Sequence, residues 1–243
     1  MRRKYALAVA AAALLPFAQL SAQGGAAVNQ EASNKVSGGG ISLAGWKGKV
    51  DASEAAKGLK VEDAKLVGMG PGMHVTTGPA IMYWNPANTA SGDYTVSASF
   101  NEADYMGLND HPHPYGVFIA GNALDSDKPD ALYCMAYGNG TFIFRGFSST
   151  STARGNVFRP SGSGAAIPND AVHKAEAKGK PVKQDIGISV KGDKVSCWIN
   201  GVEVQSYTKA ELTGDGKLKS TDGVYGVRFA HNTDAHVAGF AKK

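Results

Sequence analysis

The last quarter of the chain, residues 183–243, constrains the fold most, because apolar and polar residues alternate there with a period of two. Alternate side chains of a β-strand point to the same face, so this pattern predicts strands with one buried face. The pattern breaks at 191–194 and at Asn200-Gly201, and Asn-Gly favours a tight hairpin because both residues tolerate positive φ. The predicted buried positions are Ile186, Ile188, Val190, Val195, Cys197, Ile199, Val202 and Val204. Trp198 has the opposite phase and is predicted to point away from the core.

Similar patterns extend the β-structure over most of the chain. Further strands are predicted at 65–69, 73–77, 80–84, 94–101, 115–120, 131–137, 141–147, 224–230 and 236–241. The 31 glycines suit turns better than helices. Residues 148–181 form a long loop that is poor in large apolar side chains after Phe158, and loops of that length are usually functional or mobile. We therefore predict an all-β, two-sheet antiparallel sandwich over residues 41–243.

The first 40 residues differ in composition from the rest. Three basic residues at 2–4 precede an apolar run at 5–17 and small residues near position 22, which is the pattern of a secretory signal peptide. Residues 23–40 are rich in Gly, Ala, Ser and Asn, which is typical of a flexible leader. The sequence thus predicts a signal peptide at 1–22, a leader at 23–40, and export to the periplasm, cell surface or extracellular space. It predicts no transmembrane segment, because no later apolar run is long enough.

The charge of the chain argues against nucleic acid as a partner. The full sequence has 25 basic and 21 acidic residues, a net charge of +4. Removal of the three basic residues in the predicted signal leaves 22 basic and 21 acidic residues, a net charge of +1. A basic excess is what draws a protein to phosphate backbones, and the predicted mature chain has almost none.

Two cysteines, Cys134 and Cys197, lie in predicted strands of an exported protein. Both share the phase of apolar neighbours, so both are predicted to face the core. A disulfide between them is permitted in an oxidising compartment. The alternative is two separate buried thiols that behave as small apolar residues. The sequence leaves both open, because spacing along the chain does not give the distance between the two residues.

Several segments resemble the concanavalin A-like jelly rolls, in particular the laminin-G-like group of bacterial secreted proteins. They read GVYGVRFAHNTDAHVAGF at the end, INGVEV before it, and GPAIMYWNP, DYTVSASF and HPYGVFIAGNAL in the front half. The similarity covers residues 46–240. It implies a jelly-roll sandwich of this kind. A related group with the same architecture, the 3-keto-disaccharide hydrolase domain family, keeps an enzymatic role open, because fold similarity alone does not transfer function.

One short motif has metal-ligand character, and it reads Asp110-His111-Pro112-His113. Two imidazoles two residues apart in an extended segment point the same way, so His111 and His113 are predicted to bind one divalent metal. Asp110 is a third ligand or an outer partner of the site. The alternative is a solvated loop stiffened by prolines. Zinc suits the histidines, whereas calcium would need hard oxygens, such as those of the acidic loop at 125–130.

Aromatic and polar residues near predicted loops and strand ends are the candidates for ligand binding. Aromatic rings stack on the apolar sides of sugar rings, while Arg and His side chains read the hydroxyl groups. The predicted ligand-binding residues are Trp84, His113, Tyr115, Arg145 and His231. The alternative for the rings is burial in the sandwich core, where aromatic residues are common. The alternative for the polar run 231–236, which contains His231, is a turn between the last two strands.

Three classes of function follow. The preferred prediction is a non-catalytic binding module for carbohydrate or another extracellular ligand. The second is a sugar-active hydrolase or lyase that uses His111 and His113 with a metal, or Glu102 with Asp104 as the carboxylate pair that glycosidases need. The third is a structural cell-surface protein. None of the common hydrolase, zinc-protease or phosphate-binding motifs occurs in the sequence.

Overall fold

A computed structural model describes residues 31–243, which form sixteen strands, two short α-helices and two single-turn 3₁₀ helices at Val61–Asp63 and Arg154–Asn156. The strands are β1 (Gly40–Ile41), β2 (Lys47–Val50), β3 (Lys65–Met69), β4 (Gly72–Thr76), β5 (Ile81–Ala90), β6 (Tyr94–Glu102), β7 (Tyr115–Asn122), β8 (Asp130–Ala136), β9 (Thr141–Phe147), β10 (Val157–Phe158), β11 (Ile167–Pro168), β12 (Val182–Lys191), β13 (Lys194–Ile199), β14 (Val202–Thr208), β15 (Gly223–Phe229) and β16 (Asp234–Lys242). The α-helices are α1 (Ala52–Ala55) and α2 (Lys209–Leu212). The predicted signal peptide and residues 23–30 of the predicted leader lie outside the described residues.

The strands form two sheets that pack face to face. Sheet A has the order β1-β3-β4-β16-β6-β12-β13-β14, and sheet B has the order β10-β9-β8-β7-β15-β5-β2, with β11 also paired to β9. All pairings are antiparallel except that of β1 with β3. The turn between β15 and β16 carries the chain from sheet B to sheet A. The predicted two-sheet jelly-roll sandwich is therefore confirmed.

The alternation predicted in the last quarter sets which side chains enter the core. The inward side chains of β12 and β13 are at most 1% exposed: Ile186, Ile188, Val190, Val195, Cys197 and Ile199. Trp198 points to the outer face of sheet A and is half-buried, as predicted. Asn200 and Gly201 form the hairpin turn with φ values of 50° and 82°. The prediction was wrong for Val202, which is 49% exposed because β14 is the edge strand of sheet A.

A disulfide joins Cys134 of β8 to Cys197 of β13, so it links sheet B to sheet A through the core. The Cα atoms lie 5.8 Å apart, and both residues are fully buried. The inward phase predicted for both cysteines is confirmed. Of the two alternatives that the sequence left open, the structure shows the bridge.

The outer face of sheet B is also buried. A second apolar cluster lies there, separate from the core between the sheets, and consists of Met82, Trp84, Phe118, Leu124, Ala131, Tyr133, Met135, Ile143 and Phe147. Val157 and Ala166, from the long segment 148–181, pack against this cluster. β10 and β11 of the same segment pair with β9. The segment therefore covers sheet B, so that within residues 31–243 the open outer face is that of sheet A.

Residues 31–40 differ from the predicted flexible leader, because they hydrogen-bond to the sandwich. The amide of Val36 donates to the carbonyl of Asp63 at 3.0 Å, and the amide of Gly40 donates to the carbonyl of Ala64 at 2.7 Å. β1 follows directly and pairs with β3. A backbone that finds such partners is held on the fold whatever its side-chain composition.

Candidate functional site

Three histidines from two distant parts of the sequence meet at one end of the sandwich. β7 and β15 are antiparallel neighbours, and Tyr115 at the start of β7 pairs with Phe229 at the end of β15. Residues just before Tyr115 therefore lie beside residues just after Phe229. This places His111 and His113 next to His231, and the ligand nitrogens of all three lie within 4.8 Å of one another. We call these three residues the histidine cluster.

The rings of the histidine cluster contact one another directly. The ring centroids of His113 and His231 are 4.1 Å apart, and those of His111 and His113 are 4.3 Å apart. The Nε2 atoms of His111 and His113 face each other at 2.8 Å. The Nδ1 of His113 lies 2.5 Å from the carbonyl oxygen of His231, and the Nδ1 of His111 lies 2.6 Å from a carboxylate oxygen of Asp110.

The surroundings of His113 and His231 disfavour their protonated forms. Burial lowers the pKa of His113 to about 3, with the neighbouring His231 and His111 as further causes. Burial likewise lowers the pKa of His231. The pKa of Asp110 is lowered, first because its carboxylate bonds to His111. Burial therefore favours the neutral imidazole at His113 and at His231, while the bond to His111 favours the carboxylate form of Asp110.

Asn232 holds the turn that carries His231. It is fully buried and has a φ of 48°, in the left-handed region that Asn tolerates. Its side chain donates to Glu31 at 3.1 Å and to the carbonyl of Ala32 at 3.0 Å, and accepts from the amide of Asn34 at 2.8 Å. Its carbonyl accepts from Asn109 at 2.8 Å. The predicted turn is confirmed, and it also joins the segment around residue 31 to the loop around residue 110.

The predicted metal group, Asp110 with His111 and His113, is brought together, but with different roles for its members. The carboxylate of Asp110 bonds to the Nδ1 of His111, and the backbone amide of Asp110 donates to the carboxylate of Glu31 at 2.8 Å. His231, predicted only as a ligand-binding residue, adds a third imidazole, with its ring centroid 4.1 Å from that of His113 and 6.2 Å from that of His111. The sequence held no signal for this proximity, because 118 residues separate His113 from His231.

The expectation that Trp84 and Tyr115 lie at the surface was wrong. Trp84 is 2% exposed within the cluster on the outer side of sheet B, and Tyr115 is fully buried between the sheets. The guanidinium of Arg145 donates to the carbonyl of Gly164, so it fastens the segment 148–181. The two other predicted ligand-binding residues, His113 and His231, belong to the histidine cluster.

The carboxylate pair considered for catalysis is divided between the interior and the surface. Glu102 is 3% exposed and accepts from the amide of Met106 at 3.1 Å, whereas Asp104 is exposed. Burial raises the pKa of Glu102 to about 7. A glycosidase needs both carboxylates at the substrate, so the burial of Glu102 argues against this pair as a catalytic centre.

The open outer face of sheet A carries a shallow groove of about 230 Å³. Trp198 of β13, Gly187 of β12 and Ser97 of β6 are register partners, so they form one row across three strands. Ser99 and Asp185 form the next row and are hydrogen-bonded to each other. Because Gly187 has no side chain, one face of the groove beside Trp198 is left free. The groove therefore combines an aromatic ring with hydroxyl and carboxylate groups.

The same face continues with polar residues on β4 and β16. The carboxylate of Asp234 lies 2.9 Å from the Nε2 of His74 and accepts from Thr76 at 2.5 Å. The rings of His74 and His236 are 4.4 Å apart, and His236 pairs with Asn101 of β6. Asp234, at the end of the predicted turn region, lies at the start of β16 and bonds to side chains of β4. Polar groups thus cover sheet A from β4 to β13.

No protein-family model and no curated protein matches the sequence. Among solved structures, the carbohydrate-binding module CBM66 from Bacillus subtilis is similar with a TM-score of 0.51 and 10% identity, covering 84% of this chain and 99% of that chain. A Bacillus subtilis protein of unknown function with a galectin-like fold is similar with a TM-score of 0.51 and 14% identity, covering 81% and 88%. These similarities show the fold, a sandwich of the concanavalin A-like kind.

Within residues 31–243, none of the helices has the length and apolar character needed to cross a membrane.

Proposed function

We propose that this protein is an exported, non-catalytic carbohydrate-binding protein whose ligand lies in the groove on the outer face of sheet A. The observation that carries the proposal is the row of Trp198, Gly187 and Ser97, which sets an aromatic ring beside a side-chain-free strip. The fold that this chain shares with a carbohydrate-binding module supports it. The disulfide and the N-terminal sequence support export.

The groove has the chemistry that a sugar requires. A pyranose has one apolar face and a rim of hydroxyl groups, so it stacks on an aromatic ring while polar side chains bond to the rim. The indole nitrogen of Trp198 donates to Ser189 at 2.9 Å, which fixes the ring on the sheet. Asp185 and Ser99 lie in the adjacent row and present a carboxylate and a hydroxyl to the same space.

Binding to a panel of soluble polysaccharides in affinity gels, followed by calorimetry on the best ligand, tests the proposal. Trp198→Ala is expected to weaken binding by about tenfold or more, since one stacked ring contributes on the order of 1 kcal/mol or more. Asp185→Asn, added to Trp198→Ala, is expected to weaken binding further. Asp215→Asn, on an exposed loop after α2, is the matched control and should bind like the unaltered protein.

Two results would count against the proposal. One is the absence of binding to every polysaccharide by the unaltered, folded protein. The other is an unchanged affinity in Trp198→Ala, which would place any sugar site elsewhere. Hydrolysis or elimination of a bound sugar, measured as released reducing ends or unsaturated products, would favour the enzymatic alternative instead.

A further inference from the structure

The histidine cluster lies at the end of the sandwich, and none of its residues lines the groove on sheet A. The loop before β7 and the turn after β15 bring its three imidazoles together, from the six histidines of the chain. What such a cluster does depends on which ring nitrogens carry hydrogen. The hydrogen-bond partners around it decide that for two of the rings.

His111 and His113 are both held in the tautomer that leaves Nε2 without hydrogen. A carbonyl oxygen only accepts, so the Nδ1 of His113, 2.5 Å from the carbonyl of His231, must be the donor. A carboxylate oxygen also accepts, so the Nδ1 of His111, 2.6 Å from the Oδ1 of Asp110, is a donor as well. Each neutral ring then has its lone pair on Nε2.

These two lone pairs point at each other across 2.8 Å. Two acceptors at that distance repel unless a positive species lies between them. A proton shared between the two Nε2 atoms would relieve this repulsion but would leave His231 without a role. A metal ion would bind the lone pairs of His111 and His113 and could also bind the ring of His231. His231 supports the second occupant, because its Nδ1 is buried and has no hydrogen-bond partner among residues 31–243.

The contacts behind the rings are those that surround protein metal ligands. A ligating histidine donates its other ring N–H to a carboxylate or a backbone carbonyl, and that bond fixes the ring orientation. The acceptor for the Nδ1 of His111 is the carboxylate of Asp110, and the acceptor for the Nδ1 of His113 is the backbone carbonyl of His231. Glu31 lies behind Asp110. The Oε2 of Glu31 accepts a hydrogen bond from the backbone amide of Asp110 at 2.8 Å and lies 4.0 Å from the Nδ1 of His111.

We propose that His111, His113 and His231 bind one zinc ion, or a similar borderline transition metal, through ring nitrogens. Zinc–nitrogen bonds of about 2.0–2.1 Å place tetrahedral ligands about 3.3 Å apart, and the nitrogens of the cluster already lie within 4.8 Å. An all-imidazole set suits zinc rather than calcium, which takes oxygen ligands. His111 is 42% exposed on its side chain, so a fourth position is open to water or to an exogenous ligand.

Zinc titration of the full, tag-free chain after chelator treatment, in competition with a chromogenic chelator, tests this site. The unaltered protein should take up one equivalent. His111→Ala and His231→Ala should abolish that uptake in the working range, and Asp110→Ala should weaken it by about 10- to 100-fold, as the loss of an outer partner does. His113→Gln is the conservative change at the buried position.

The matched control removes the other three histidines together, in His74→Ala/His173→Ala/His236→Ala, and should retain one equivalent. Cobalt absorption in the visible range should show a tetrahedral nitrogen site in the control but not in His111→Ala. The proposal is overturned if the unaltered protein takes up no zinc, as a shared proton would require. Loss of zinc in the control with retention in His111→Ala would overturn it as well.

Discussion

Cys134 of sheet B and Cys197 of sheet A are bonded to each other through the core, although they are 63 positions apart along the chain. A bridge of that span restricts the unfolded chain strongly. The loop-closure relation gives a contribution of about 4 kcal/mol. We expect Cys134→Ala/Cys197→Ala to lose about that much unfolding free energy, measured by urea denaturation. Reducing agent should destabilise the unaltered protein to a similar degree and leave the double variant unchanged.

The buried guanidinium of Arg228 and the half-buried carboxylate of Asp51 form an ion pair on the outer side of sheet B, with contacts of 2.7 and 2.5 Å. The guanidinium also lies 4.8 Å from the ring of Tyr133 and 4.7 Å from that of Phe147. We expect Arg228→Met to cost up to about 3 kcal/mol of unfolding free energy, because the half-buried carboxylate of Asp51 then loses its partner. Arg228→Lys should also destabilise, since an ammonium lacks the planar fork.

A double-mutant cycle isolates the pair from its surroundings. Asp51→Asn combined with Arg228→Met should cost less than the sum of the two single changes, with a coupling of about 1–3 kcal/mol. Additive costs would show that Arg228 stabilises the fold through its stacking on the two rings rather than through Asp51.

Because Glu102 is buried, we expect the unfolding free energy to fall as the pH rises. Its pKa rises from an ordinary value of 4.5 to about 7 in the fold, chiefly through burial. Below pH 4.5 the carboxyl is protonated in both states and costs nothing. Between pH 4.5 and 7 the unfolded chain releases the proton while the folded chain keeps it, so stability falls as the pH rises. Above pH 7 the penalty is complete, at about 3 kcal/mol.

Glu102→Gln removes this titration. Unfolding free energies of the variant and the unaltered protein, compared at pH 4 and pH 8, should therefore diverge in favour of the variant by about 3 kcal/mol. A difference between the two proteins that stays constant from pH 4 to pH 8 would contradict the assigned burial effect. Asp104→Asn, at an exposed carboxylate, is the control and should leave the pH profile unchanged.

Trp84 and Trp198 predict opposite outcomes for the same substitution. Trp84 is 2% exposed in the cluster under the segment 148–181, so Trp84→Ala should cost about 3–5 kcal/mol of unfolding free energy. The milder Trp84→Phe should keep the fold and bind sugar like the unaltered protein. Trp198→Ala should change stability by about 1 kcal/mol at most while weakening binding. Denaturation and calorimetry on the same samples separate the two effects.

We expect a substitution at Asn232 to loosen the segment that precedes β1 without unfolding the sandwich. Asn232→Ala removes the bonds to residues 31–34 and strains a φ of 48° that Asn tolerates better than Ala does. Hydrogen exchange at the amide of Asn34, which bonds to the Asn232 side chain, should become faster. Asn232→Gly keeps the backbone conformation but not the bonds, so equal exchange in both variants would assign the effect to the side chain.

The predictions that held were those resting on neighbouring residues. The phase of Ile186, Ile188 and Val190, and the turn at Asn200-Gly201, follow from period two and from backbone preferences, which act over a few residues. The predictions that failed needed knowledge of what covers a strand. Trp84 is the kind of aromatic residue that often binds ligands at a surface, but the packing of residues 148–181 against sheet B buries it.

The sequence by itself determined the fold class, the boundaries of most strands and the faces that β12 and β13 turn to the core. The tertiary structure decided which distant residues meet: Cys134 with Cys197, His113 with His231, and Trp198 with Ser97 across Gly187. Alternation is a local property of the chain, but the order of strands in a sheet depends on pairings between residues far apart in sequence. Those pairings, and not the motifs alone, create both the histidine cluster and the groove.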